Sequence, residues 1–156
     1  MNLKAMPLTK EDFAPYGRYF ITGEGDTSGA SMDYIADVTS VVLNDPISGI
    51  GVLYADRQEP VITQMELHRN TEEGWIVLDG PCVSSFGTPC DDPNESDYKA
   101  FYIPAGTVLS LGIGVWHYAP LPCGDKRTTV LAILPPNTPE KDIEVVPLKE
   151  TMTITL

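Results

Sequence analysis

What most constrains the fold of this chain is a series of short runs rich in β-branched and aromatic residues, each cut off by glycine or proline. Residues 48–56, 60–68, 74–78, 83–86, 98–104, 108–111, 115–118 and 128–134 follow this pattern. Between them stand Asp79-Gly80-Pro81, Pro104-Ala105-Gly106, Pro120 to Gly124, and Pro135-Pro136, which supply turn chemistry. Branched and aromatic side chains suit a pleated strand, whereas proline removes a ladder donor. Many short strands with almost no helix specify a β-sandwich or barrel. Only residues 7–16 read as helix. Thr9 is its cap, Asp12 sits three residues on, and Leu8 and Phe13 are placed to staple the entry. Residues 22–31 read as a loop and residues 34–43 as a further strand. Residues 143–156 are expected to add one or two edge strands, because Pro147 suits an edge.

The chain has 156 residues with no linker or internal repeat, which fits one domain over 1–156. Its formal net charge of −12 argues against a nucleic-acid partner, since phosphates need a basic footprint. A small anionic substrate needs only one or two local cations and remains open. No apolar run could span a bilayer, and the N-terminus has no signal-peptide apolar stretch, so no membrane partner and a cytoplasmic location are expected. Cys82, Cys90 and Cys123 are odd in number. The spacing of Cys82 and Cys90 permits a disulfide, but free thiols are the preferred reading. Asp91, Asp92, Glu95 and Asp97 could in principle hold calcium, but match no calcium loop and read as a solvated acidic turn.

The chemistry concentrates around the two histidines, His68 and His117. On a strand, Ile62, Gln64, Glu66 and His68 face one way, and Val61, Thr63, Met65 and Leu67 the other. The first set turns polar towards its end, as the wall of a lined pocket would. Glu73 and Gly80 follow His68 at turn-like intervals.

The order Glu66-x-His68-x₄-Glu73-x₆-Gly80 resembles the first cupin motif, Gly-x₅-His-x-His-x₃₋₄-Glu-x₆-Gly. Glu66 replaces the first histidine and the leading glycine is absent. Pro104-Ala105-Gly106 partly echoes the second cupin motif, but Leu109 takes its histidine position. More specifically, Pro7-Leu8-Thr9-x-Glu11-x-Phe13-x-x-Tyr16-Gly17, then Met65-Glu66-Leu67-His68 with Trp75, then Val115-Trp116-His117 before Pro120-Leu121, resembles the ureidoglycolate lyase family in order. The family usually has glutamine where Glu73 stands, a Tyr-His near Leu111-Gly112 and a histidine in place of Tyr118. An acidic residue usually follows the position of Arg127, where Val130 stands here.

The resemblance implies an all-β, cupin-type double-stranded β-helix (a jelly-roll barrel) with a short N-terminal helix. It also implies cleavage of the C–N bond of ureidoglycolate, or of a related small 2-hydroxy acid, to glyoxylate and urea. His68, His117 and Glu73 are the candidate acid–base groups. Arg127 is the favoured cation for the substrate carboxylate, with Arg57 and Arg69 as alternatives. Trp116 is a candidate pocket wall, and Tyr118 either a pocket hydroxyl or a core ring. Alternatively Glu66, His68, Glu73 and His117 hold a divalent transition metal (Zn, Mn, Fe or Ni), which the cupin motif and Glu73 favour. A metal-dependent cupin acting on a sugar or sugar acid, such as an isomerase, and a non-catalytic small-molecule-binding cupin are the rival readings. Cupin relatives lead us to expect a homodimer.

Overall fold

The computed structural model describes residues 1–24, 29 and 31–156. Strand β1 (Asn2–Pro7), helix α1 (Lys10–Phe13) and strand β2 (Gly17–Ile21) come first. They are followed by β3 (Gly49–Ala55), β4 (Val61–Leu67), β5 (Glu73–Asp79), β6 (Cys82–Gly87), β7 (Lys99–Ile103) and β8 (Thr107–Leu111). Next come β9 (Trp116–His117), β10 (Leu121–Pro122) and β11 (Thr128–Leu134), and helix α2 (Thr138–Lys141) leads into β12 (Glu144–Thr155). The all-β cupin-type expectation holds. One sheet runs β10-β6-β7-β1-β12-β4-β9, and a second runs β2-β8-β5-β11-β3. In the larger sheet β6 also pairs with β9, so its strands close into a ring, which removes the exposed edges there.

Two apolar cores follow from this closure. Phe13, Trp75, Phe86, Phe101, Leu109 and Val130 pack strands of both sheets together. Ile62, Met65, Leu67, Trp116 and Met152 fill the interior of the larger sheet. Strand β6 is buried on both faces: Cys82 and Phe86 enter the first core and Val83 the second. That is why it reads as a continuous apolar and small-residue run rather than an alternating one.

Several expectations are corrected. The helix is a single turn, Lys10–Phe13, because Pro7 closes β1 and Tyr16 already leads into β2; its cap is as expected, with Thr9 Oγ1 accepting from the Asp12 N–H at 3.1 Å. The N-terminal strand β1 was not foreseen; it joins β12 and β7 in parallel. Residues 34–43 form no strand. Instead Val42 donates its N–H to the Glu72 carboxylate and its carbonyl accepts from Glu72 N–H, so this segment is strapped to a turn rather than to a sheet edge. The loop expected over 22–31 falls in part on residues 25–28 and 30, which lie outside the described residues.

Strand β12 is interior, between β1 and β4, not an edge. Pro147 is tolerated there because the register shifts between Pro147 and Met152, and such a bulge spares a ladder donor. The same irregularity faces Ile62 and Gln64 and breaks the alternation expected of β4. Ile62 shares a core with Met65 and Leu67, while only Glu66 and His68 keep the polar face. All three cysteines are free thiols. The acidic stretch is tied to its surroundings, Asp91 by Arg69 and Glu95 by the Lys149 N–H.

Candidate metal centre

Strand β4 lies in the larger sheet and β5 in the smaller, so residues 68–72 cross from one sheet to the other. A second crossing, residues 112–115, joins β8 to β9. The two crossings meet where Gly114 N–H donates to the His68 carbonyl at 2.8 Å. Gly114 takes a φ of 76°, a left-handed conformation that costs a glycine little. This junction brings His68, Glu73 and His117 together, and the ladder sets Glu66 directly opposite His117.

The first three side chains are nearly sealed, at 6%, 8% and 1% exposure respectively. Glu73 Oε2 lies 3.3 Å from His68 Nε2 and 3.0 Å from His117 Nε2. One ligand atom from each residue falls within 4.8 Å of the others, so the group could hold a metal ion. Glu66 is half-buried, with Oε1 3.6 Å from His117 Nε2.

The other ring nitrogens decide the chemistry. His117 Nδ1 donates to the Val115 carbonyl at 2.9 Å, and His68 Nδ1 donates to the Asp142 carbonyl. A neutral ring has one N–H, and a carbonyl can only accept, so a neutral ring that keeps its Nδ1–H on that carbonyl carries a lone pair at Nε2. Both Nε2 atoms lie within 3.3 Å of the same Glu73 oxygen. Among the described residues His117 Nε2 is buried without a hydrogen-bond partner, because the near carboxylate is off the hydrogen-bond direction. Three electron-rich atoms converging in a sealed site require positive charge between them, from added protons or from a metal cation. The residues therefore fit a divalent ion.

Without metal, protons fill that role. Burial alone would raise the Glu73 carboxyl, but the contacts with His117 and His68 outweigh it and hold it down at about 2. Burial of the His68 ring works against its charged form, yet the Glu73 contact, the Asp142 carbonyl and the charges of Glu73 and Glu66 raise it overall. For His68 the folded value lies above the ordinary 6.5, so its stabilising contribution is complete below 6.5 and is lost as pH rises through the folded value. For Glu73 the contribution is present above the ordinary 4.5 and is lost as pH falls towards about 2. The metal-free protein is therefore expected to gain most from this cluster between those two ordinary values. Metal binding on the alkaline side should strengthen with pH and release protons. Urea midpoints across pH, with and without zinc, and proton release in weakly buffered calorimetry check this; a zinc affinity independent of pH would contradict it.

The remaining candidates make contacts of their own. Arg57 pairs with Asp125, and Arg127 pairs with Asp56 while lying over the Tyr54 ring. Arg69 pairs with Asp91 and Glu144, and Arg18 with Glu72, so all four arginines of the chain are committed to carboxylates. Arg57 and Tyr118 line a common cleft with Tyr54 and Pro120. The alternation of β9 explains this, because the residue next to an inward His117 must point away from it. Trp116 is fully buried in the second core and donates Nε1–H to the Cys90 carbonyl at 3.0 Å. Trp75 does reach the site; its ring stands edge-on to His117, centroids 5.8 Å apart. The carbonyls of Val115 and Asp142 were not foreseen. They act through the backbone, which any residue type supplies, and Asp142 lies 74 positions from His68.

Fold and centre together define an all-β cupin-type protein with a buried His–Glu–His group. Over 122 residues, 75% of this chain and 73% of the relative, the sequence is 29% identical to the "Putative ureidoglycolate lyase" of Agrobacterium fabrum (strain C58 / ATCC 33970), a distant homology. No family model matches the chain. Among solved structures, it resembles an oxalate decarboxylase with a TM-score of 0.45 at 16% identity, covering 65% of this chain and 24% of that one. It also resembles the Bacillus subtilis oxalate decarboxylase studied for its Mn(II) centers, with a TM-score of 0.40 at 19% identity, covering 55% of this chain and 20% of that one. The chain thus spans a quarter or less of these decarboxylases.

Proposed function

We propose that this protein is a metal-dependent lyase acting on a small 2-hydroxy acid, with ureidoglycolate as the substrate. The observation that carries the reading is the convergence of both imidazole Nε2 atoms on one Glu73 oxygen, while each Nδ1 meets a backbone carbonyl. The distant homology to the Agrobacterium protein supports the substrate class. So does the commitment of all four arginines to carboxylates. A carboxylate substrate approaching Glu66 and Glu73 meets no free guanidinium, so its charge calls for a bound cation.

A divalent ion held by His68, Glu73 and His117 would supply Lewis acidity to the hydroxyl and carboxylate oxygens of the substrate. Glu66, half-buried beside His117, is the group placed to accept the hydroxyl proton. As that O–H bond breaks, the carbon–oxygen bond becomes the aldehyde of glyoxylate. The C–N electron pair leaves with the urea nitrogen, which takes the proton back from Glu66. Trp75 walls the reacting group from water on the core side.

The test is glyoxylate release from ureidoglycolate, measured beside elemental analysis of the purified protein. Turnover with stoichiometric metal is expected, and His117→Ala should lose both. Glu66→Gln should keep the metal and lose activity by about 100-fold or more, the range for a proton-transfer group. No turnover by the intact protein loaded with Zn, Mn, Fe or Ni sinks the proposal; turnover of a sugar acid instead would favour an isomerase.

A further inference from the structure

We infer that Asp142 is a positioning residue for His68: it holds that ring in the tautomer the centre needs by clamping the 68–70 turn to the connector between α2 and β12. Four hydrogen bonds converge on this one residue. Its carbonyl accepts from His68 Nδ1. Its Oδ1 accepts from Arg69 N–H and from Asn70 Nδ2, each at 2.9 Å, and its Oδ2 accepts from Asn70 N–H at 2.9 Å. At the start of β12, Glu144 accepts from Arg69 Nε at 2.9 Å. The side chain of Asp142 thus fixes where its own carbonyl stands relative to the ring. Bonds to a carboxylate are among the stronger hydrogen bonds, and three of them leave the turn little freedom.

The two histidines differ in this respect. His117 finds its acceptor two residues away, in its own strand segment, at Val115. His68 depends on a residue from a distant part of the chain. Without the Asp142 carbonyl in place, the nearest strong acceptor for the neutral ring is Glu73, 3.3 Å from Nε2. The proton would move to Nε2 to reach it. The lone pair would then sit on Nδ1, facing away from the cluster, and His68 would cease to be a ligand. Asp142 therefore keeps Nε2 unprotonated against the pull of Glu73, and outer partners of this kind commonly tune a metal site. The tautomer follows from hydrogen bonding alone; its consequence for a metal rests on the reading above.

The experiment uses ¹⁵N-labelled, metal-free full-length protein, at a pH alkaline enough to make both rings neutral. Long-range proton–nitrogen spectra report the tautomer of each histidine. Both rings of the parent are expected as the Nδ1–H form. In Asp142→Ala, His68 should shift mainly to the Nε2–H form while His117 is unchanged, and zinc affinity should fall by about 10-fold or more. Asp142→Asn keeps one acceptor oxygen and should lie between, which provides the readout if the alanine variant does not fold. An unaltered His68 tautomer in either folded variant overturns the inference, and so does an equal change at His117. None of these readouts passes through turnover, so failure of the lyase reading is separable from failure of this one.

Discussion

Glu73→Gln is expected to remove metal binding and to destabilise the metal-free protein by about 3 kcal/mol near pH 5.5, the lower end of the cost of stripping one partner from a buried ion pair. Glu73 is the one carboxylate that touches both rings, at 3.3 and 3.0 Å, and it is the main group favouring the His68 imidazolium. A neutral amide cannot balance the His68 imidazolium in a sealed site, so folding at that pH must either strip its proton or bury unpaired charge. As pH rises through the raised folded value of His68 its ring becomes neutral, and the penalty should shrink. Denaturant titration at the two pH values, with elemental analysis of each preparation, measures both effects. A Glu73→Gln protein that keeps stoichiometric metal and unfolds with the parent at low pH would show that the cluster is not the centre.

Phe13→Ala is expected to cost about 3–5 kcal/mol, the usual range for emptying a buried phenylalanine site. Phe13 is the single large apolar side chain of α1, and it is fully buried. Its ring meets Tyr19 from the smaller sheet edge-on at 5.9 Å, and Phe86 and Phe101 from the larger sheet at 5.4 and 5.5 Å. One turn of helix could not be stable alone, so it exists to insert this ring between the sheets. The aromatic contacts continue from Phe86 to Trp75 and from Trp75 to His117. The cavity is thus expected to loosen the centre as well, seen as broadened His117 resonances. Equilibrium unfolding gives the stability term; a loss below about 1 kcal/mol would mean the neighbouring rings can close the gap.

Much of the strand content could be read locally. Residues 128–134 match β11, and 60–68 enclose β4, because branched runs between turn residues have few other conformations. The polar pairing of Glu66 and His68 was legible for the same reason, since spacing by two on a strand fixes a shared face. Other features were hidden. β1 carries no run of branched residues and is a strand only because β7 and β12 sit on either side of it. Pro147 read as an edge signal, and only the register shift shows how an interior strand accommodates it. Arg127 and Arg57 looked available because sequence gives no partner for a cation, and the fold supplies Asp56 and Asp125.

By itself, the sequence determined that this is a barrel-like β-protein, and it pointed to two histidines and neighbouring carboxylates as the candidate site. Those properties follow from composition, periodicity and short-range spacing. The tertiary structure alone decided that Glu73 bridges His68 and His117, that Glu66 stands just outside them, and that Arg127 pairs with Asp56. It also decided which nitrogen of each ring is free to bind. That choice depends on backbone carbonyls, which every residue carries, and on the fold bringing residue 142 to residue 68.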